Sequence, residues 1–226
     1  MTDRFLKKPS DVDALVQEWG FLPFFKNRVR GFSIQEHVPP ELWFSEEPGP
    51  WEWKGSVLRR GNCVYGKFFE GKAGYVSLEW FYDFANYRRD GYDFDARCED
   101  KYVPPEDIAV MEELQKYPDI LSRALKKKCG YWGKEKRKGF DPIINRLQME
   151  AYVLTSDFEY DLDKKGEPYG WGLARYATVE NRLGADIGEK IYVRSPEGSF
   201  ERMRKQLLQF FPEEERNIAL LLERKN

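Results

Sequence analysis

The sequence contains few of the residues on which metal and nucleophile chemistry depend. It has a single histidine, His37, and three widely spaced cysteines at 63, 98 and 129, with no CxxC pair. A histidine-based zinc site, a Ser-His-Asp triad and a disulfide framework are therefore disfavoured. Neither a GxxxxGK[ST] loop nor a GxGxxG loop occurs. We therefore expect no metal, no nucleotide cofactor and no other cofactor.

Long apolar runs are also missing. No stretch approaches the roughly 20 apolar residues that a membrane-spanning helix needs. The first residues, MTDRFLKKPSDVDALVQEW, carry charges where a signal peptide would be apolar. We expect no membrane partner, a cytoplasmic location and reduced cysteine thiols.

Positive charge is concentrated in one part of a chain whose net charge is only −2. Between residues 121 and 146 there are nine lysines and arginines but only two acids. Such segregation creates a local positive field in a nearly neutral protein, although a solvated helix face and loop would give the same pattern. The nine cations are Arg123, Lys126, Lys127, Lys128, Lys134, Lys136, Arg137, Lys138 and Arg146.

The same region has the element order of a winged helix-turn-helix. Residues 105–116 and 123–128 have helical patterns, and a basic, glycine-containing turn follows them. A third helix is predicted from Asp141, as N-cap, with Pro142 in its first turn and Phe140 as an apolar staple. After Tyr152 the apolar period changes from 3.6 to 2, which predicts a hairpin of residues 152–160 and 169–178. The predicted shared core is Ile143, Ile144, Leu147, Leu173 and Tyr176.

The flanking regions have weaker patterns. A helix is predicted over 10–20, a loop over 45–61, and a hairpin over 63–69 and 73–80. Two helices are predicted within 195–224. The predicted fold class is α+β: a winged helix-turn-helix at 104–178, an N-terminal α+β region with an aromatic-rich hairpin at 1–103, and a C-terminal helical segment at 179–226.

A winged helix usually binds nucleic acid, and we expect double-stranded DNA as the partner. Asn145, Arg146 and Gln148 lie off the apolar face of the third helix and have side chains that can contact bases. The remaining predicted contacts are to phosphates, from Lys134, Lys136, Arg137 and Lys138 in the turn and from Lys164 and Lys165 at the wing tip. A winged helix that serves only as a protein-interaction module remains an alternative.

Several segments resemble a bacterial winged-helix family related to the AlkZ-type DNA glycosylases. They include FLPFFKNRVRGFS, PWEWKG, YGKFFEGKAGYVS, WFYDFANYRRDGYDFDAR, KGFDPIINRLQMEAYV and YGWGLARYAT, and they span nearly the whole chain. Glycosylases of that type excise alkylated or crosslinked bases with paired glutamines, or a glutamine and an acid, around one apolar residue. The comparable triplet here is Gln148-Met149-Glu150. The resemblance thus implies the fold, a nucleic-acid partner and a possible catalytic role for Gln148 and Glu150.

Asp90 is a second catalytic candidate. It follows Arg88 and Arg89 in an aromatic-rich stretch that also holds Asp83 and Asp93. Aromatic side chains can hold a flipped base while an acid activates water, although a salt-bridged structural loop has the same composition. The leading prediction is a DNA-binding winged-helix protein with a regulatory or repair role. The alternatives are a cofactor-free glycosylase acting on alkylated or crosslinked bases, and a module that binds protein only.

Overall fold

Six antiparallel strands form one sheet that passes through both the N-terminal region and the region of predicted DNA-binding elements. The computed structural model describes residues 5–44, 48–134, 136–166 and 168–224. Within them lie the six strands, in the order β1-β3-β2-β5-β6-β4, and twelve α-helices. The predicted α+β class is confirmed.

The N-terminal region begins with an amphipathic helix, α1 (Pro9–Trp19), which ends at Gly20 in the left-handed conformation (φ 84°). This agrees with the predicted helix. Strand β1 (Phe21–Pro23) and the short helix α2 (Ile34–His37) follow. The predicted loop over 45–61 is wrong in part, because Pro50–Leu58 forms helix α3. Pro50 occupies its first turn, where a missing N–H costs nothing, and the Glu52 carboxylate accepts from the Gly49 N–H at 2.9 Å.

The predicted hairpin is formed by β2 (Cys63–Phe69) and β3 (Lys72–Ser77). Its second strand was expected to reach Trp80, but helix α4 (Leu78–Arg88) begins there. The aromatic residues after Ser77 therefore pack as a helix face rather than in a strand. Helix α5 (Phe94–Asp100) follows, and the Asp93 carboxylate caps it by accepting from the Ala96 N–H at 2.8 Å.

The predicted DNA-binding elements are helices α6 (Pro105–Leu114), α7 (Ser122–Lys128) and α8 (Phe140–Met149), followed by strands β5 (Val153–Leu162) and β6 (Pro168–Thr178). Helix α8 starts before the predicted Asp141 cap, because the left-handed Gly139 precedes its first turn. A two-residue strand, β4 (Ile120–Leu121), pairs with β6. The hairpin also pairs with the N-terminal region through Tyr65 of β2 and Thr155 of β5.

The C-terminal segment is helical, as predicted. Ser195 caps the longest helix by accepting from the Gly198 N–H at 3.1 Å. Ile218, Leu221 and Leu222 are buried on the last helix. The helices are α9 (Val179–Leu183), α10 (Gly188–Ile191), α11 (Pro196–Leu208) and α12 (Glu215–Leu222).

Two apolar clusters fill the interior. The larger joins the N-terminal elements, part of β5 and the C-terminal helices. The smaller lies among α6, α7, α8 and the start of β5, and it contains Ile143, Ile144 and Leu147, with Tyr176 packed against it. Leu173 was predicted to join this core, but it is only partly buried and belongs to neither cluster. Strands from both sides of the boundary predicted near 104 belong to the one six-stranded sheet, and the segment after 178 contributes no strand among the described residues.

Candidate nucleic-acid interface and adjoining cleft

The turn between α7 and α8, residues 130–139, carries the concentrated positive charge and is called the basic turn below. Lys134, Lys136, Arg137 and Lys138 are all exposed, and none forms an ion pair with a residue that the structure describes. Tyr131 anchors the turn, because its buried ring lies 5.4 Å from that of Phe140. The four cations therefore extend into solvent from a fixed base.

Neighbouring cations are neutralised by acids. Arg123 pairs with Asp161 at 3.1 Å, and Lys126 pairs with Asp141 at 2.8 Å. Lys128 lies 3.6 Å from Glu113. Lys127 is exposed and has no ion pair among the described residues, so the unpaired charge of this region lies at Lys127 and in the basic turn, where four cations create a local positive field.

The tip of the β5–β6 hairpin presents two more exposed cations, Lys164 and Lys165. Two hydrogen bonds to Asp163 shape the tip: its carbonyl accepts from the Gly166 N–H at 3.1 Å, and its carboxylate accepts from the Lys165 N–H at 2.7 Å. Gly166 has a φ of 85°, the conformation that such a turn requires. Both lysine side chains can therefore reach a partner beyond the sheet.

The polar side chains of α8 differ in accessibility. The Arg146 guanidinium pairs with the buried Asp107 carboxylate through two contacts, one of them Nε to Oδ2 at 2.7 Å. Asn145 is half-buried, and its Oδ1 has no hydrogen-bond partner among the described residues. That oxygen is itself enclosed, so of the three predicted base-contacting side chains Asn145 is distinguished only by being partly exposed and outside any ion pair among the described residues.

Gln148 lies inside the molecule, with 1% of its surface exposed. Its Oε1 accepts from the Lys67 N–H and the Thr155 hydroxyl, each at 3.2 Å. Its Nε2 donates to the Ile144 carbonyl at 3.3 Å. The helical period alone placed Gln148 off the apolar face, but the sheet covers a wider face of α8. Strand β2 approaches α8 closely at Gly66, where a Cβ atom would lie 3.2 Å from the Gln148 Oε1.

The two acidic catalytic candidates, Asp90 and Glu150, come together in one cleft of about 350 Å³ at the C-terminal end of α8. They are distant in the sequence, so only the fold brings them to the same place. The cationic lining of this cleft does not follow from the sequence pattern, although Arg88 and Arg89 directly precede Asp90. The other lining residues are Arg88, Arg89, Tyr92, Arg97, Lys101, Tyr102 and Arg224.

Glu150 is positioned by Arg97, whose Nη2 lies 2.8 Å from its Oε1. Burial raises the pKa of the Glu150 carboxyl, and the nearby Arg97 guanidinium offsets only part of that rise. The carboxyl therefore holds its proton to a higher pH than an ordinary glutamate. Such a group can exchange a proton at a higher pH than an ordinary glutamate does, which suits it to acid–base chemistry.

Two of the three non-glycine residues with positive φ in the described part of the chain lie beside the cleft; the third, Glu70, is in the β2–β3 turn. Asp90 and Ala151, which are not glycines, have φ values of 56° and 60°. The Ala151 carbonyl accepts from Arg89 Nε at 3.1 Å and from Arg89 Nη2 at 2.9 Å, which joins the end of α4 to the end of α8. Arg224 pairs with the Asp90 carboxylate. Left-handed conformations of such residues cost free energy and tend to occur at functional sites.

Metal-ligand clusters and membrane-spanning helices are both absent among the described residues. No group of three or more His, Cys, Asp or Glu side chains among them is arranged to hold a metal ion. None of their helices is long and apolar enough to cross a membrane.

The structure thus defines a mixed α+β protein with a basic turn at one end of α8 and a cationic cleft at the other. The model of the AlkZ-related family matches residues 6–220. The chain therefore belongs to the AlkZ-related family, as the sequence resemblance predicted. Comparison with curated proteins and with solved structures gives no match.

Proposed function

We propose that the protein binds double-stranded DNA in a repair-associated role, through a winged helix formed by residues 105–178. The observation that carries this proposal is the basic turn, with four exposed cations that lack acidic partners among the described residues. Membership of the AlkZ-related family supports a link to DNA repair. The three free cysteines are compatible with a reducing cytoplasm, the location we propose.

The arrangement of elements supports the winged helix. Helices α6, α7 and α8 share one apolar cluster, and the β5–β6 hairpin follows α8 directly. Lys164 and Lys165 lie at the hairpin tip, where a wing contacts the DNA backbone or minor groove.

A repair role fits α8 better than sequence-specific regulation does. Gln148 is enclosed and Arg146 is held by Asp107, so α8 offers Asn145 as its remaining candidate for base contacts. The exposed cations are instead suited to phosphates, which carry no sequence information. A protein of this kind would recognise the shape or damage of DNA more than its sequence.

The test is duplex binding measured against salt for a Lys136→Ala/Arg137→Ala variant. Each phosphate contact contributes a slope of roughly −0.9 to log affinity against log salt. We expect weaker duplex binding and a salt slope flatter by about two.

Lys7→Ala/Lys8→Ala is the matched control, because it removes the same charge from exposed lysines at the start of α1. Identical salt titrations for all three proteins would refute the proposed interface. No duplex binding by the folded parent would favour the protein-interaction alternative.

A second candidate function is excision of an alkylated or crosslinked base, and the cleft at Glu150 is the observation that favours it. We propose that Glu150, in its ionised form and assisted by Asp90, accepts a proton from a water that attacks C1′ of the deoxyribose. The N-glycosidic bond breaks and the base leaves with its electrons; the proton held by Glu150 then passes to the base or, where the alkylated base leaves neutral, to solvent. Gln148, enclosed by β2 and β5, would position α8 in this scheme rather than contact the base.

Base release from alkylated duplexes tests the catalytic proposal. Glu150→Gln should abolish release and leave duplex affinity nearly unchanged, because the chemistry and the phosphate contacts are separate. Asp90→Asn should reduce release less than Glu150→Gln does. No release by the parent protein from any alkylated duplex would rule out excision and leave the DNA-binding proposal standing.

A further inference from the structure

Arg88 is a buried cation that forms no ion pair among the described residues, although the Glu70 carboxylate lies near enough to interact with it electrostatically. Arg88 is 5% exposed, and its Nη2 donates to the backbone carbonyls of Phe68 at 3.1 Å and Leu221 at 3.4 Å. Its Nε has no hydrogen-bond partner, and it forms no ion pair with a carboxylate among the described residues. Arg88 also lines the cleft.

The neighbouring Arg89 has the carboxylate partner that Arg88 lacks in the described part of the chain. Arg89 is buried to a similar extent, but its Nη1 lies 2.9 Å from the Glu180 carboxylate. Burying a charge without a counter-charge is costly, and proteins normally supply a partner. Burial lowers the pKa of Arg88 to about 10, so its guanidinium still carries a full charge at neutral pH. The cleft therefore maintains a positive charge that no ion pair among the described residues holds and that the more distant Glu70 carboxylate offsets only in part.

Lys101 adds a second such cation at the rim. Its side chain is exposed, its Nζ lies 5.1 Å from the centre of the Tyr92 ring, and it has no ion pair within the described part of the chain. The remaining cations of the lining, Arg89, Arg97 and Arg224, each pair with a carboxylate. Two cations that form no ion pair among the described residues thus lie on the lining of one cleft.

We propose that this cleft binds a phosphate group, with Arg88 at its inner wall and Lys101 at its rim. Two positive charges match a phosphate dianion, and a guanidinium donates to phosphate oxygens in a favourable planar geometry. Tyr102 is 83% exposed on the same lining, where it can stack on a base attached to that phosphate. A nucleotide is therefore the class of ligand that the cleft fits.

This site is separate from the basic turn. The two lie at opposite ends of α8, and a ten-residue helix spans about 15 Å. Phosphate binding in the cleft requires neither duplex binding at the basic turn nor catalysis by Glu150. The phosphate has two possible sources, a free nucleotide or a nucleic-acid backbone, and both present the same chemistry.

Calorimetric titration of the full chain tests the proposal with three probes: inorganic phosphate, a deoxynucleoside 5′-monophosphate, and a short single-stranded oligonucleotide without terminal phosphates. Chloride at matched ionic strength is the reference. We expect the mononucleotide to bind, and Lys101→Ala to weaken that binding by about tenfold or more. Lys190→Ala is the matched control, because Lys190 is also exposed and lies 6.0 Å from the centre of the Tyr82 ring.

The single-stranded oligonucleotide distinguishes a free nucleotide from a nucleic-acid backbone as the source of the phosphate. Competition between it and the mononucleotide supports a nucleic-acid phosphate, and its failure to compete supports a free nucleotide. An Arg88→Gln variant should lose mononucleotide binding. If that variant does not fold, the Lys101→Ala variant decides the question, because Lys101 is exposed and its replacement should not disturb folding.

The proposal is overturned if neither inorganic phosphate nor the mononucleotide binds the parent above the chloride reference. It is also overturned if Lys101→Ala binds as tightly as the parent. Salt titrations of duplex binding report on the basic turn separately.

Discussion

At the scale of single residues, the role of each cation depends on the nearest carboxylate. Arg146 and Arg137 lie nine positions apart in the same basic region of the sequence, yet Arg146 is held by Asp107 while Arg137 is exposed. Arg88 and Arg89 are adjacent and equally buried, but only Arg89 has an acidic partner among the described residues. Charge available for ligands is thus determined by long-range pairing.

Glu150 gives a pH-dependent prediction at this scale. Its pKa is raised in the folded protein, chiefly by burial, so the folded state binds more protons than the unfolded state between the ordinary glutamate pKa and the raised one. The free energy of unfolding should therefore fall as pH rises through that window. We expect Glu150→Gln to lose this part of the pH dependence, as measured by urea unfolding at a series of pH values that rises from the ordinary glutamate pKa.

Glu201→Gln is the control, because the Glu201 pKa is lowered by hydrogen bonding with Arg204. Its effect should have the opposite sign, since the stability that Glu201 contributes is lost as pH falls. Parallel pH profiles for the Glu150→Gln variant and the parent would contradict the raised pKa.

The sequence predicted the cations of the site better than their surroundings. Exposure of Lys134, Lys136 and Lys164 followed from local composition, because turns between helices and strands lie at the surface. The meeting of Asp90 with Glu150 could not be predicted, because it depends on Arg89 binding the Ala151 carbonyl across the fold. Likewise, Gln148 is enclosed by strands that are distant in sequence.

At the scale of elements, α8 depends on the glycine that precedes it. Gly139 has a φ of 96°, and no atom lies within 4 Å of a Cβ built there. The cost of a side chain at this position is therefore one of backbone conformation rather than of crowding. We expect Gly139→Ala to destabilise the protein by about 1–2 kcal/mol.

Urea unfolding measures this effect as a lower midpoint with an unchanged slope. Lys138→Ala, one residue earlier and exposed, is the control and should leave the midpoint nearly unchanged. Equal midpoints for Gly139→Ala and the parent would show that α8 does not need the left-handed residue.

Elements with a clear period were predicted well, and those shaped by local capping were not. The change from a helical to an alternating period after Tyr152 located α8 and β5, whose apolar residues face a core. Helix α3 was missed because its prolines, glycines and tryptophans resemble a loop. Its start depends on the hydrogen bond between Glu52 and Gly49. The extension of β3 to Trp80 was wrong because aromatic residues suit strands and buried helix faces alike.

At the scale of the whole molecule, one sheet joins the predicted N-terminal region to the predicted winged-helix region. Strand β5 pairs with β2, and the larger apolar cluster contains residues from the N-terminal region, from β5 and from the C-terminal helices. Asp83 of α4 also binds Arg194 and Arg202 of the C-terminal segment, at 2.5 and 2.6 Å. These contacts couple the three regions energetically.

We therefore expect a single unfolding transition. Tryptophan fluorescence reports mainly on the N-terminal region, since five of the seven tryptophans precede residue 81, whereas far-UV circular dichroism reports on all helices. The two signals should give the same midpoint in urea. Separate midpoints would instead support independent domains with boundaries near 104 and 178.

The pairing of Arg224 with Asp90 has a practical consequence for handling the protein. Arg224 follows α12, and its guanidinium also donates to the Tyr87 carbonyl at 3.4 Å, so this residue forms part of the cleft wall. An affinity tag or fluorescent protein fused after this residue would sit at the entrance to the cleft and obstruct ligands. A small environment-sensitive dye at the same position would instead report cleft occupancy optically, without any substitution in the lining.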